Sequence, residues 1–79
     1  MTNIENYKKI FIECLTIESK NFNEEIKYNE IAEWDSIGHM TLISGLEEGF
    51  NISLETDDIV EFSSFKKGIA ILQKYKIDF

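Results

Sequence analysis

The chain has 79 residues, with 8 Lys and Arg against 15 Asp and Glu, one His, one Cys and no Pro. That length admits a single domain, 1–79, with a thin core; it excludes two cores and argues against a deep, dry reaction chamber of the kind a self-contained enzyme needs. The formal charge of −7 repels nucleic-acid backbones and anionic lipid, so basic proteins are the expected partners.

The first element is an amphipathic helix in which Ile4, Tyr7, Ile10, Phe11, Cys14 and Leu15 share one face, with Asn6, Lys9, Glu13 and Thr16 opposite. Cys14 lies on the apolar face and reads as a buried small hydrophobe; a lone cysteine forms no intramolecular disulfide. The opening stretch MTNIENYKKIF has no apolar run of signal-peptide or membrane-spanning type, and a cytoplasmic location is expected. From Ser19 to Trp34 the periodicity fades. This reads as a long connection, anchored to the core by Phe22, Ile26, Tyr28 and Ile31.

A second helix is expected to open at Asp35 or Ser36, both N-cap residue types, and to run to about Phe50. It carries two stripes. Leu42, Ile43, Leu46 and Phe50, with His39 at the edge, form an ordinary core face; Ile37 and Met40, followed by Ser44, Glu47 and Glu48, lie well away from it and read as exposed because of the acids. Asn51–Leu54 is a short connection with Ile52 and Leu54 able to reach the core. Glu55, Thr56, Asp57 and Asp58 then start a short helix containing Ile59, Val60 and Phe62, their charge suited to the positive helix end. Ser63 or Ser64 caps a last helix with Phe65, Ile69, Leu72 and Tyr75 on one face. The expected fold is all-α: a small four-helix bundle of three longer helices and one short one, with a long loop between the first and second.

The stretch EWDSIGHMTLISGLEEGF, Glu33 to Phe50, resembles the prosthetic-group attachment region of acyl carrier proteins of the stand-alone type. Asp35-Ser36-Ile37 matches the family's Asp-Ser-Leu with a conservative last residue. The setting matches as well: Ser36 opens a helix after a long loop, and Leu46-Glu47-Glu48, Phe50, an acidic short helix and a final apolar helix follow in the family's order. The resemblance covers essentially the whole chain. It implies a non-catalytic carrier of acyl or aminoacyl groups, held as thioesters on a 4′-phosphopantetheine arm donated by coenzyme A and joined to Ser36, with Asp35 and Ile37 flanking the attachment point. It also implies the partners: a phosphopantetheinyl transferase, acyl or aminoacyl ligases, acyltransferases and condensing enzymes of fatty-acid and related lipid metabolism, reading Ile37 and Met40, with Glu47, Glu48, Glu55, Asp57 and Asp58 meeting their basic patches. Such a carrier is expected to be a monomer. Gly38 and Thr41 depart from the fatty-acid carriers, which commonly have acids there, and a specialised biosynthetic pathway is the expectation.

Elementary physics agrees at Ser36. A hydroxyl in the first turn sits among backbone N–H groups that lack intrahelical acceptors and at the positive end of the helix dipole, where a phosphodiester anion is favoured. His39, three residues on, raises a hydrolase reading, but nucleophilic catalysis also needs an oxyanion site, a substrate cavity and a group orienting the base, and Asp35 is badly placed for the last; His39 is expected at the rim of the core. One His and one Cys supply no zinc ligand set, and no metal is expected. A cargo cleft between helices is expected to be lined by Ile10, Leu46, Ile59, Phe62 and Ile69. The alternative from another class is an acidic helical adaptor that binds a basic protein through Ile37, Met40 and the glutamates without a cofactor.

Overall fold

The computed structural model describes residues 2–79. Among them lie four α-helices: α1 (Asn3–Leu15), α2 (Ser36–Phe50), α3 (Thr56–Glu61) and α4 (Phe65–Gln73), with a single 3₁₀ turn, Ser19–Asn21, in the long α1–α2 loop. The expected all-α architecture is what forms, and α1 against α2 is its main helix pair.

Three of the four starts, those of α1, α2 and α4, are set by a side chain that relieves first-turn donors, whereas α3 opens at Glu55 with no side-chain cap. Thr2 and Glu5 form a reciprocal capping box on α1, Asp35 Oδ1 accepts from the Gly38 N–H at 2.8 Å on α2, and Ser64 Oγ accepts from the Lys67 N–H at 2.9 Å on α4. Three ends share one device. Thr16, Asn51 and Lys76 adopt left-handed backbone (φ 53°, 56° and 66°), and the N–H of the next residue, Ile17, Ile52 or Ile77, turns back to the carbonyl of Ile12, Glu47 or Leu72. Each isoleucine is thereby swung toward the core.

The core is aromatic. Tyr7, Phe11, Trp34, Phe62 and Phe65 are all but inaccessible, and edge-to-face contacts link Phe11 to Trp34 and Phe65 at centroid distances of 5.0 and 5.1 Å. Such pairs contribute about 0.5–1.5 kcal/mol beyond the area they bury. The Tyr7 hydroxyl donates to the Phe65 carbonyl at 2.7 Å, and burial pushes its phenol far above the usual tyrosine range. Close approach is bought with glycine at Gly68, where a Cβ would fall 2.2 Å from the Tyr7 hydroxyl and 2.3 Å from the Phe62 ring.

Several expectations change here. Trp34, at the end of the aperiodic loop, is the largest fully buried side chain, whereas Tyr28, expected as a core anchor, stays partly exposed. Val60 faces solvent instead of joining Ile59 and Phe62. Tyr75 lies just past the last turn of α4. Cys14 is half-buried, and desolvation, with Glu13 and Glu48 nearby, raises its thiol above the ordinary value.

Candidate functional site

The loop before α2 is tied across the molecule to the α3–α4 junction. Lys27 and Ser64 form an antiparallel bridge, the Tyr28 N–H donates to the Ser63 carbonyl at 2.8 Å, and the Phe65 N–H donates to the Ile26 carbonyl at 3.0 Å. Ile26 is buried by the same arrangement. This stitching carries Tyr28 to the N-terminus of α2, where its hydroxyl lies 3.3 Å from Ser36 Oγ.

Ser36 is exposed on the first turn of α2. With the Asp35 carboxylate occupied by the Gly38 N–H, the Ser36 and Ile37 amides remain without intrahelical acceptors, as the first amides of any α-helix must. Beside the serine opens a groove of about 370 Å³ lined by Tyr28, Ser36, His39, Met40, Ile59, Val60, Phe62 and Ser63. Only Ile59 and Phe62 of the expected cleft residues are in this lining. Leu46 is sealed in the core, Ile10 instead packs against Gly45 and Gly49 of α2, and Ile69 sits on α4 against the core. The groove therefore belongs to the α2–α3 face next to the serine, and the bundle interior behind it is filled by large side chains.

His39 forms part of the groove wall. The Trp34 indole Nε1 donates to His39 Nδ1 at 2.9 Å; indole has only a donor, so Nδ1 accepts and the ring hydrogen sits on Nε2, which donates to the Ile59 carbonyl at 2.8 Å. Both ring nitrogens are engaged away from Ser36, and the serine's side-chain neighbour is Tyr28. The rim position expected for His39 is the one it occupies. Among the described residues no group of three His, Cys, Asp or Glu side chains could hold a metal ion, and no helix is long and apolar enough to cross a membrane.

The expected contact surface is present in part. Ile37 is 79 % exposed and Met40 54 %, and Val60, 77 % exposed, extends the apolar surface across the groove to α3. Glu48, Glu55 and Asp57 point outward. Glu47 is half-buried, its carboxylate accepting from the Leu54 N–H at 2.8 Å to hold the α2–α3 turn. Asp58 corrects the sequence expectation of an outward acid: it is buried, and its two oxygens accept from Lys74 and from the Tyr75 hydroxyl. Gly38 has a structural cause, since a Cβ there would meet the Glu33 carbonyl oxygen at 2.2 Å. Any larger residue, acids included, would displace that backbone.

Comparison with models of known protein families and with curated proteins gives no match for this chain.

Proposed function

We propose that this chain is a carrier protein: Ser36 tethers a 4′-phosphopantetheine arm through a phosphodiester, and partner enzymes act on what the arm holds. The observation that carries the reading is the Ser36 hydroxyl, exposed on the first turn of a 15-residue helix and opening onto an apolar groove. The residues fit the group. The α2 N-terminus favours an anion on Oγ, the capped Asp35 carboxylate is already satisfied by Gly38, and the hydroxyl has an open approach from solvent. When bound, the arm supplies a terminal thiol that holds an acyl or aminoacyl group as a thioester; no general base on this chain is required.

Ile37, Met40 and Val60 would form the apolar centre of the surface presented to a transferase, ligase, acyltransferase or condensing enzyme, with Glu48, Glu55 and Asp57 around it meeting basic patches. Rim charges of this kind mainly speed encounter and select partners. Monomeric behaviour and a cytoplasmic location suit a protein that visits several enzymes. The glycine at position 38 and Thr41, whose hydroxyl donates to the Ile37 carbonyl, leave the top of α2 without acids, and this favours partners of a specialised pathway over those of bulk fatty-acid synthesis.

The test is direct. The apo-protein is incubated with coenzyme A and a broad-specificity phosphopantetheinyl transferase and weighed intact. One added arm, lost in Ser36→Ala, is the expected result. No increment with a transferase that loads a control carrier overturns the reading and leaves the cofactor-free adaptor, which the exposed Ile37, Met40 and Val60 would equally serve.

A further inference from the structure

Tyr28 lies outside the core, yet its ring is fixed from several sides. Its backbone N–H is bonded to Ser63 at 2.8 Å, next to the Lys27–Ser64 bridge. The ring meets Trp34 and His39 edge-to-face at centroid distances of 5.9 and 5.3 Å. Those two rings are themselves locked by the hydrogen bonds running from Trp34 through His39 to Ile59. The phenol oxygen therefore owes its place, 3.3 Å from Ser36 Oγ, to the scaffold rather than to the serine.

Building on the carrier reading, we infer that Tyr28 is the positioning residue of the loaded carrier, donating its phenolic hydrogen to an oxygen of the phosphodiester on Ser36. Between two hydroxyls either can be the donor. A phosphodiester offers acceptors only, so after loading the phenol must be the donor, and a hydrogen bond to an anion is the stronger kind. The first-turn amides of Ser36 and Ile37 approach the same group from the helix side. Held between the phenol and the helix end, the root of the arm has its direction set. Tyr28 and Ser36 line the same groove as Met40 and Val60, so an arm rooted between them would begin at that groove. The aromatic packing of Tyr28 and its hydroxyl thus have separate tasks: the ring holds position, and the oxygen contacts the phosphate.

Tyr28→Phe separates these tasks, because it keeps the ring and removes the hydroxyl. Tyr75→Phe is the control, since it removes a phenol that serves Asp58. Wild type and both variants are loaded with coenzyme A and a transferase, loading is verified by intact mass, and the phosphorus-31 resonance of each loaded protein is recorded with its Tm. The expected result is a Tyr28→Phe resonance displaced by more than its linewidth at an unchanged Tm, with faster amide exchange at Ile37, while Tyr75→Phe leaves the resonance in place. A loaded Tyr28→Phe protein with the wild-type resonance and exchange rate overturns the role of Tyr28 and leaves the carrier reading intact. A wild-type protein that takes no arm overturns both.

Discussion

The indole of Trp34 and the imidazole of His39 share a 2.9 Å hydrogen bond that determines which nitrogen of the histidine carries its hydrogen, and with it the bond from α2 across to the Ile59 carbonyl of α3. The histidine that stands three residues from the candidate serine is thus a structural strut. Removing it in His39→Ala leaves a fully buried indole N–H and a carbonyl without partners, a loss of about 2–3 kcal/mol. For a domain of this size that corresponds to a fall in Tm of about 10 °C or more. Thermal unfolding monitored by tryptophan fluorescence reads this out; an unchanged Tm would show that the bond does not support the bundle.

Gly38→Ala sets two effects against each other. Alanine is the better helix former by up to about 1 kcal/mol, but its Cβ would sit 2.2 Å from the Glu33 carbonyl oxygen and 3.2 Å from Leu15. Backbone does not yield as a side-chain end does, so the clash is expected to win by about 1–2 kcal/mol. Gly38→Asp, with a larger and charged side chain at the same point, is expected to cost more. Urea denaturation decides the matter: a Gly38→Ala protein as stable as wild type would mean that the loop carrying Trp34 and Asp35 moves freely.

Asp58 makes stability depend on acid. The hydrogen bond from Lys74, and then that from Tyr75, hold its carboxyl below the ordinary aspartate value of 3.8. A folded value below the unfolded one means the stabilisation is complete above 3.8 and disappears as pH falls through the folded value. Glu24, held down by its bond from Lys8, and Glu5, held down by Thr2, act in the same direction. On the alkaline side the signs reverse. The same bond to Asp58 raises Lys74 and Tyr75, so their contribution is full below 10.5 and 10.0 and is lost as pH rises through the folded values. Tm measured against pH for wild type and Asp58→Asn is expected to show a shallower acid limb in the variant; superimposable limbs would exclude Asp58 as a source of the dependence.

Ile37→Glu and Met40→Glu address the contact surface. Both residues are largely solvated, so stability is expected to change by no more than about 0.5 kcal/mol. Loading by a transferase, in contrast, is expected to slow by about ten-fold if either residue is an apolar anchor of the encounter. Lys9→Gln, on the exposed side of α1, makes the net charge more negative by the same one unit and serves as the control. Equal loading rates for all three variants would place the docking surface elsewhere.

The helices were legible because capping residues and apolar spacing coincide: Asp35 before Ser36, Ser64 before Phe65, and the Leu42-Ile43-Leu46 face of α2 against α1. The exposure of Ile37 and Met40 followed from the same periodicity, whereas Ser36 was singled out by the resemblance of Asp35-Ser36-Ile37 to a carrier attachment motif. What lay between helices was not legible. Trp34 and Tyr28 sit in a loop whose order comes from bonds to residues 63–65, and no local spacing announces a partner more than thirty positions away. Asp58 misled for a related reason. A six-residue helix is too short for its pattern to assign an inner and an outer face, and the groups that neutralise the carboxylate, Lys74 and Tyr75, come from the far end of the chain.

The bridge between Lys27 and Ser64 has a consequence for the order of events at birth. A nascent chain released only as far as Phe50 already contains the serine, its cap and the whole of α2, but residues 63–65, to which the Tyr28 segment is bonded, have not yet left the ribosome. Closing a loop of this span must wait for the C-terminal helices. The neighbourhood of the hydroxyl is therefore finished last, and an incomplete polypeptide would display Ser36 before Tyr28 is held beside it.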